Sequence, residues 1–522
     1  MKARPFLTVV LAMVMSLLLA AGTGLWWVLA HSPLQLQHQP LAMPMAARFV
    51  PRQAPLSLYL LANGNQLENY ARVVAPGRRR HQAAQAIAEL RDGAFAAAGL
   101  DYGSELAPWV APELGLALLG QDAAGAPNGW LLSLRSRDGD GARRFLQRFW
   151  QTRSLAGTDL QVSTYRGMGL ISGRAARVGE PSAPLATALI NDDLVLIASG
   201  RSVIEQALDV SQIDELNQAS SPVLKSSLAS LGEGTVLLQA RGQALETWLG
   251  LPTAGITDLV AALRPDAAGL AVKARLQLEQ ALAPLPAAAV SDATLLQAYR
   301  GDAEGLAVLQ APASWPQPLQ QLLQSALAGL DSPIPALLAS SDSGPLLWAQ
   351  DAQGWLLGTL AKSADPKTLE PALKDLGLVE ASVDLKGQSV QVWTRLRASS
   401  GRDLQPGQLE ASLVGAHTSA NPALPQAPIW WAQSLAGLGQ QFEPRASSRP
   451  RLAELEALQA PRALLRWSLT ADPARQLLQR WRPWQLVTAP AGAKPTQAVA
   501  SLALALVPEA EGLALKAQLG FA

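Results

Sequence analysis

Two stretches of the chain nearly repeat each other: PDAAGLAVKARL from Pro265 and PEAEGLALKAQL from Pro508. Eight of the twelve positions are identical, without a gap. Apolar residues alternate in both, at Leu270, Val272, Ala274 and Leu276 and again at Leu513, Leu515, Ala517 and Leu519, while Lys273 and Lys516 fall on the other side. A period of two marks a half-buried strand, because successive side chains point to opposite faces of a sheet. Proline with an acid, followed by glycine, suits a turn just ahead of each strand. The upstream runs DLVAALR and VASLALALV are then candidate hairpin partners. On this reading the residues from Gly512 onward form a closing strand, with Leu513, Leu515, Leu519 and Phe521 facing inward.

Other pairs keep the same order along the chain. GWLL occurs at Gly129 and Gly354, AGLD at Ala98 and Ala328, and QALETW at Gln243 answers QLLQRW at Gln476, sharing Trp248 and Trp481. The offsets of the four pairs are 225, 230, 233 and 243 residues. An ordered, slowly drifting offset is what duplication followed by loop insertion leaves. Single short matches arise by chance in a chain rich in Ala and Leu, so the common order carries the argument. It predicts two copies, residues 49–283 and 295–522, joined by a Pro/Ala-rich linker over 284–294.

Within each copy strands alternate with helices. ARRFLQRFWQTR follows the strand GWLLSLRS, and Phe145, Leu146, Phe149 and Trp150 make one apolar stripe. In the second copy Asp365 suits an N-cap and Pro366 the first helical position, with Leu369, Leu373 and Leu376 as the buried stripe. Ser202 and Glu205 are spaced for a capping box ahead of EQALDV. Hairpins with short helices point to α+β units built on antiparallel sheets.

Residues 6–30, FLTVVLAMVMSLLLAAGTGLWWVLA, carry no charge and follow Lys2 and Arg4. A membrane helix needs about 20 apolar residues and a signal-peptide core about 7–15. The length predicts a transmembrane signal anchor over 6–30, with residues 1–5 cytoplasmic and the body outside. Trp26 and Trp27 would lie at the far interface. A cleaved signal peptide, cut near Ala20–Gly22, is the alternative. Residues 31–48 hold three prolines and no sustained period, so they read as a linker. The full expectation is α+β: an N-terminal transmembrane helix followed by two diverged copies of an antiparallel-sheet-plus-helices unit.

Several first-copy segments resemble a cyanobacterial family of membrane-anchored proteins known as domain-of-unknown-function family 3352. They are FVPRQAPLSLYLLANGNQLENYAR from Phe49, APWVAPELGLALLG from Ala107, GWLLSL from Gly129 and RFWQTRSLAGTDLQVSTYRGMGLI from Arg148. In the family Gly and an acid tend to follow the Pro-Trp pair; here Ala111 and Pro112 intervene before Glu113. The resemblance implies a thylakoid or plasma-membrane location, with the body in the periplasm or thylakoid lumen. It brings no activity and no catalytic residues.

Composition excludes several chemistries. The chain has no cysteine, so disulfides, thiolate metal sites and cysteine nucleophiles are absent. A net charge of +1 lacks the basic footprint of a nucleic-acid binder, and none is expected as a partner. No phosphate-cradling glycine loop, HExxH or GxSxG occurs, so no catalytic residue, metal ligand or cofactor is assigned. DGDG at 138–141 and Asn191–Asp193 read as turns, because the further ligands of a calcium loop are missing. His417 lies in a polar stretch without a second ligand. Glu113 alone makes no site.

Two clusters are candidates for contact with a partner or lipid. Arg78, Arg79 and Arg80, followed by His81, suit anionic headgroups, or else a solvated loop ahead of a helix. Trp430 and Trp431 are adjacent, and one core does not easily take both, which leaves one for a partner. Trp130 and Trp355 occupy matching positions and read as core beside a strand, or as the lining of a ligand groove. The first functional reading is a non-enzymatic interaction or assembly module for membrane proteins, tethered to the lipid bilayer through residues 6–30. The alternative is a protein that binds lipid, pigment or another apolar ligand between its copies. A third is an unrecognised hydrolase, which convergent carboxylates or a Ser–His pair in a deep pocket would mark.

Overall fold

A computed structural model describes residues 32–97, 100–119, 129–154, 160–175, 183–250, 255–267, 269–279, 292–328, 332–341, 344–360, 366–398, 409–418, 428–443, 449–481, 484–485, 488, 494–510 and 512–521. The chain divides into two compact units. One comprises Met1–Gln239, Ala262–Ala267 and Val487–Lys494; the other comprises Ala240–Ala261, Ala268–Leu486 and Pro495–Ala522.

The first unit holds β1 (Leu56–Leu60), β2 (Val110–Leu119), β3 (Gly129–Ser136), β4 (Gln161–Tyr165), β5 (Met168–Ala175), β6 (Ala183–Ile190), β7 (Leu194–Ala198) and most of β8 (Val236–Arg241). Their pairing gives the order β4-β5-β6-β7-β3-β2-β1-β8. Its helices include α1 (Gly64–Val74), α2 (Arg80–Ala97), α3 (Gly139–Ser154) and α4 (Arg201–Gln212). The stripe of α3 packs as the periodicity predicts: Phe145, Leu146, Phe149 and Trp150 are all buried with Trp109. The Trp150 indole donates to Thr187 Oγ1 at 2.8 Å, which satisfies its one polar atom.

The second unit holds the first half of β9 (Ile256–Asp266), then β10 (Gly269–Leu278), β11 (Gly305–Gln310), β12 (Pro345–Asp351), β13 (Gly354–Thr359), β14 (Val379–Leu385), β15 (Gln388–Ala398), β16 (Leu409–Thr418), β17 (Ile429–Ala432), β18 (Leu465–Thr470), β19 (Val499–Glu509) and β20 (Gly512–Phe521). The order within it is β14-β15-β16-β17-β13-β12-β11-β18-β19-β20-β10-β9. The eight-strand order of the first unit thus recurs with every strand number raised by ten. Local chemistry recurs too. Arg166-Gly167 turns β4 into β5 and Lys386-Gly387 turns β14 into β15, all four residues at positive φ, as a two-residue hairpin loop requires. β8 and β18 share one burial pattern, yet the second position is Leu237 in one and Arg466 in the other. Arg466 is buried in an ion pair with Asp292, and burial pulls its pKa down.

Four expectations are corrected. Among the described residues no helix is long and apolar enough to cross a membrane, and the fold is a large antiparallel sheet with helices. Residues 6–30 lie outside the described residues. The expected linker is part of the first unit from residue 32: Leu36, Ala46 and Ala47 are buried, and Glu113 Oε1 accepts the Ala46 N–H at 3.0 Å. α4 begins at Arg201, capped by Gly200 without a side-chain bond, so Ser202 lies inside it and Glu205 turns to Arg201 at 2.7 Å. Phe521 is exposed and Leu515 partly open, while Leu513 and Leu519 are buried.

Candidate functional site

β10 and β20 run antiparallel from Gly269 opposite Gly520 to Gln277 opposite Gly512, and at the midpoint Lys273 faces Lys516. These two lysines hold the same place in the repeated stretch, so the pairing is locally two-fold. Leu270 faces Leu519, and their counterparts Leu513 and Leu276 face each other in turn. The glycines obey the same relation. A Cβ on Gly269 would lie 1.9 Å from the Leu519 carbonyl oxygen, and one on Gly512 would lie 2.0 Å from that of Leu276. Both ends of the seam therefore need glycine for the strands to approach. The lysines oppose like charges across the pair, an unfavourable placement; Lys516 relieves it by donating to the Gln459 carbonyl at 3.0 Å.

The opposite face of the seam is apolar across four strands. Directly opposed residues share a face, and the registers build three rows. They are Trp467–Leu504–Ala517–Val272, Leu465–Leu506–Leu515–Ala274 and Leu469–Leu502–Leu519–Leu270. A helix, α5 (Ala471–Arg480), covers the third row: its Ala474 and Leu478 pack with Leu469 and Leu519. In the other two rows only Ala274 is buried; the remaining seven stay partly open. α5 also turns Leu477 and Trp481 outward, 37% and 42% exposed. Four residues apart, they stand on one side of the helix axis. Trp481 is the C-cap of α5, and its indole donates to the Leu249 carbonyl at 2.8 Å. An apolar array of this kind holds no group that could move a proton. It can remove apolar surface from water, worth roughly 25 cal/mol per Å², and contiguous exposed apolar surface marks a contact site.

Trp430 and Trp431 are both buried. Trp431 stacks on Trp393, with ring centroids 4.9 Å apart, and Trp430 lies 6.5 Å from Tyr299. Consecutive strand residues point to opposite faces, and β17 is covered on both, so neither tryptophan is left for a partner. Trp355 is buried and Trp130 partly so. Among the described residues the exposed tryptophan is Trp481. Helical periodicity gives no signal for it: Ala474, Leu477, Leu478 and Trp481 stand at i, i+3, i+4 and i+7, which reads as one buried stripe, and Trp481 leaves that stripe because it is the C-cap, with extended backbone. Arg78, Arg79 and Arg80 are exposed; the first two lie in the turn between α1 and α2 and Arg80 starts the second helix.

The polar candidates are engaged in structure. Asp138 meets Arg144 at 3.3 Å and Asp140 meets Arg143 at 2.7 Å, around the start of α3. A cavity of about 120 Å³ beside them is lined by Ser104, Glu105, Trp109, Arg144 and Arg148 among others. Glu113 Oε2 pairs with Arg135 at 3.5 Å. Ser57 and Tyr59 donate to Gln218 Oε1 at 3.1 and 2.8 Å, and burial raises the Tyr59 pKa so that it stays a donor. His417 is on β16, opposite Trp431 in register. Among the described residues no three His, Asp or Glu side chains converge as metal ligands.

A family profile described as "Protein of unknown function (DUF3352)" matches residues 10–465. No curated protein matches the chain. A solved structure described as "Structure of crystal form I of TP0453" is similar over 46% of this chain and 80% of its own, at 12% identity and a TM-score of 0.26, a likeness too slight to bear on fold or function.

Proposed function

The chain belongs to the DUF3352 family of unknown function, and from that premise we propose that it is a non-enzymatic interaction module that seats an apolar surface of a partner protein on the half-open face of β18, β19, β20 and β10. The observation that supports this reading is the pair of open apolar rows, Trp467–Leu504–Ala517–Val272 and Leu465–Leu506–Leu515. Seven partly open apolar side chains at one face, of which Trp467 alone packs against the helix-covered cluster, leave surface whose burial against a partner is favourable. On this reading the partner is a membrane protein and the body works beside the membrane, outside the cytoplasm.

The test compares the full chain with a Leu504→Glu/Leu515→Glu variant, both purified from detergent extract at matched melting temperature. The expected result is one protein recovered in stoichiometric amount with the unsubstituted chain and lost with the variant. Recovery that ignores the substitutions would overturn the reading. So would a stoichiometric lipid or pigment in an organic extract of the purified chain, which would assign the face to a small apolar ligand.

A further inference from the structure

The helical hairpin of α1 and α2 separates its charges. At its base Arg91 reaches Asp92 at 2.8 Å, Asn65 at 3.0 Å and Glu68 at 3.4 Å, and its guanidinium lies 4.5 Å over the Tyr102 ring. Arg72 meets Glu68 at 2.8 Å. Beyond that point the sequence has no acid until Glu89, whereas Arg72, Arg78, Arg79, Arg80 and His81 fall in the span. All five are exposed, as are Pro76, Gly77 and Val73, the last at 46%. The arginines also precede and enter the first turn of an 18-residue helix. There the free backbone N–H groups carry positive partial charge, so cations are placed against the helix dipole. An anionic surface at the tip offsets both the mutual repulsion and the dipole.

We propose that this tip docks on the anionic surface of a lipid bilayer, with Arg78, Arg79 and Arg80 among the headgroup phosphates and Val73 and Pro76 at the interface. The site is a convex point with apolar residues beside the guanidiniums. It fits a fluid surface, which conforms to the protein, and needs no groove. The contact is independent of the apolar face on β18, β19, β20 and β10.

The experiment is co-sedimentation of the full chain with phosphatidylglycerol–phosphatidylcholine vesicles and with phosphatidylcholine vesicles. Replacing the cluster by R78S/R79S/R80S is expected to weaken binding to the anionic vesicles roughly 100-fold. Binding to phosphatidylcholine and the melting temperature should stay unchanged. R78K/R79K/R80K keeps the charge and should retain most of the affinity, and added salt should weaken the unsubstituted chain as screening requires. Anionic-vesicle binding that survives the serine substitutions would overturn the proposal. Equal losses on both vesicle types would overturn it too, as would abolition by inorganic phosphate at constant ionic strength, which assigns the tip to a free anion.

Discussion

At Gly269 and Gly512 the approach of β10 to β20 depends on single atoms. Each has the carbonyl oxygen of the facing strand where a Cβ would stand, at 1.9 and 2.0 Å. Backbone cannot rotate aside as a side chain can, so Gly269→Ala and Gly512→Ala should each destabilise by about 1–3 kcal/mol in urea unfolding. Because the two positions are equivalent, their penalties should be similar. Gly77→Ala meets nothing within 4 Å and serves as the neutral comparison. A second residue-scale prediction concerns pH. Burial raises the Asp351 pKa above its ordinary value, against an opposing hydrogen bond from the Gln353 N–H at 2.7 Å. The folded state therefore holds this proton more tightly than the unfolded chain does. Stability is lost as pH rises from the ordinary carboxylate value through the raised one, and the loss is complete above it. Asp351→Asn keeps the turn acceptor without the charge. It should raise the melting temperature at neutral pH and leave it unchanged in acid. A variant that melts lower than the parent at neutral pH would refute this. Legibility at this scale was uneven. The glycines were visible as part of a repeated stretch, but the need for them was not, because it comes from a strand far away in sequence.

Among the elements, the strands that alternate were readable and the ones covered on both faces were not. β10 and β20 show two unlike faces in the sequence, one apolar and one carrying Lys273 and Lys516, although the apolar one is only partly buried. β17 is covered on both sides, so IWWA carries no alternation, and Trp430-Trp431 looked like one buried and one exposed residue. The sequence spacing places the start of α4 two residues late. Ser202 and Glu205 have capping-box spacing, but Gly200, at φ 146°, already turns the chain into the helix. β20 is hydrogen-bonded on both sides, to β19 and β10. Ending the chain after Glu511 would therefore leave two raw strand edges and remove Leu515, Ala517 and Leu519 from the apolar rows. Calorimetry of that truncation should show a lower and less cooperative transition than the full chain. An unchanged transition would mean that β20 is an appendage.

For the molecule as a whole, one observation governs: strands β11–β18 take the order of β1–β8, and the two closing strands β10 and β20 pair with equivalent lysines opposed. A two-fold pairing makes each closing strand both template and complement of the other. The repeated stretch is legible in the sequence, but the pairing of β10 with β20 depends on contacts that no local pattern encodes. The apolar face follows from that pairing, since Val272 and Ala274 complete rows begun on β18, β19 and β20. The most direct measurement uses the absence of cysteine from the chain. Opposed residues in an antiparallel pair lie roughly 4.5–5.5 Å apart at Cα, within disulfide range, whereas diagonal neighbours are farther. Lys273→Cys/Lys516→Cys should close an intramolecular disulfide under mild oxidation, seen as a faster-migrating monomer. Lys273→Cys/Ala514→Cys and Lys273→Cys/Gln518→Cys should close poorly. Equal closure of the shifted pairs, or disulfides that form only between molecules, would contradict the two-fold seam and the face built on it.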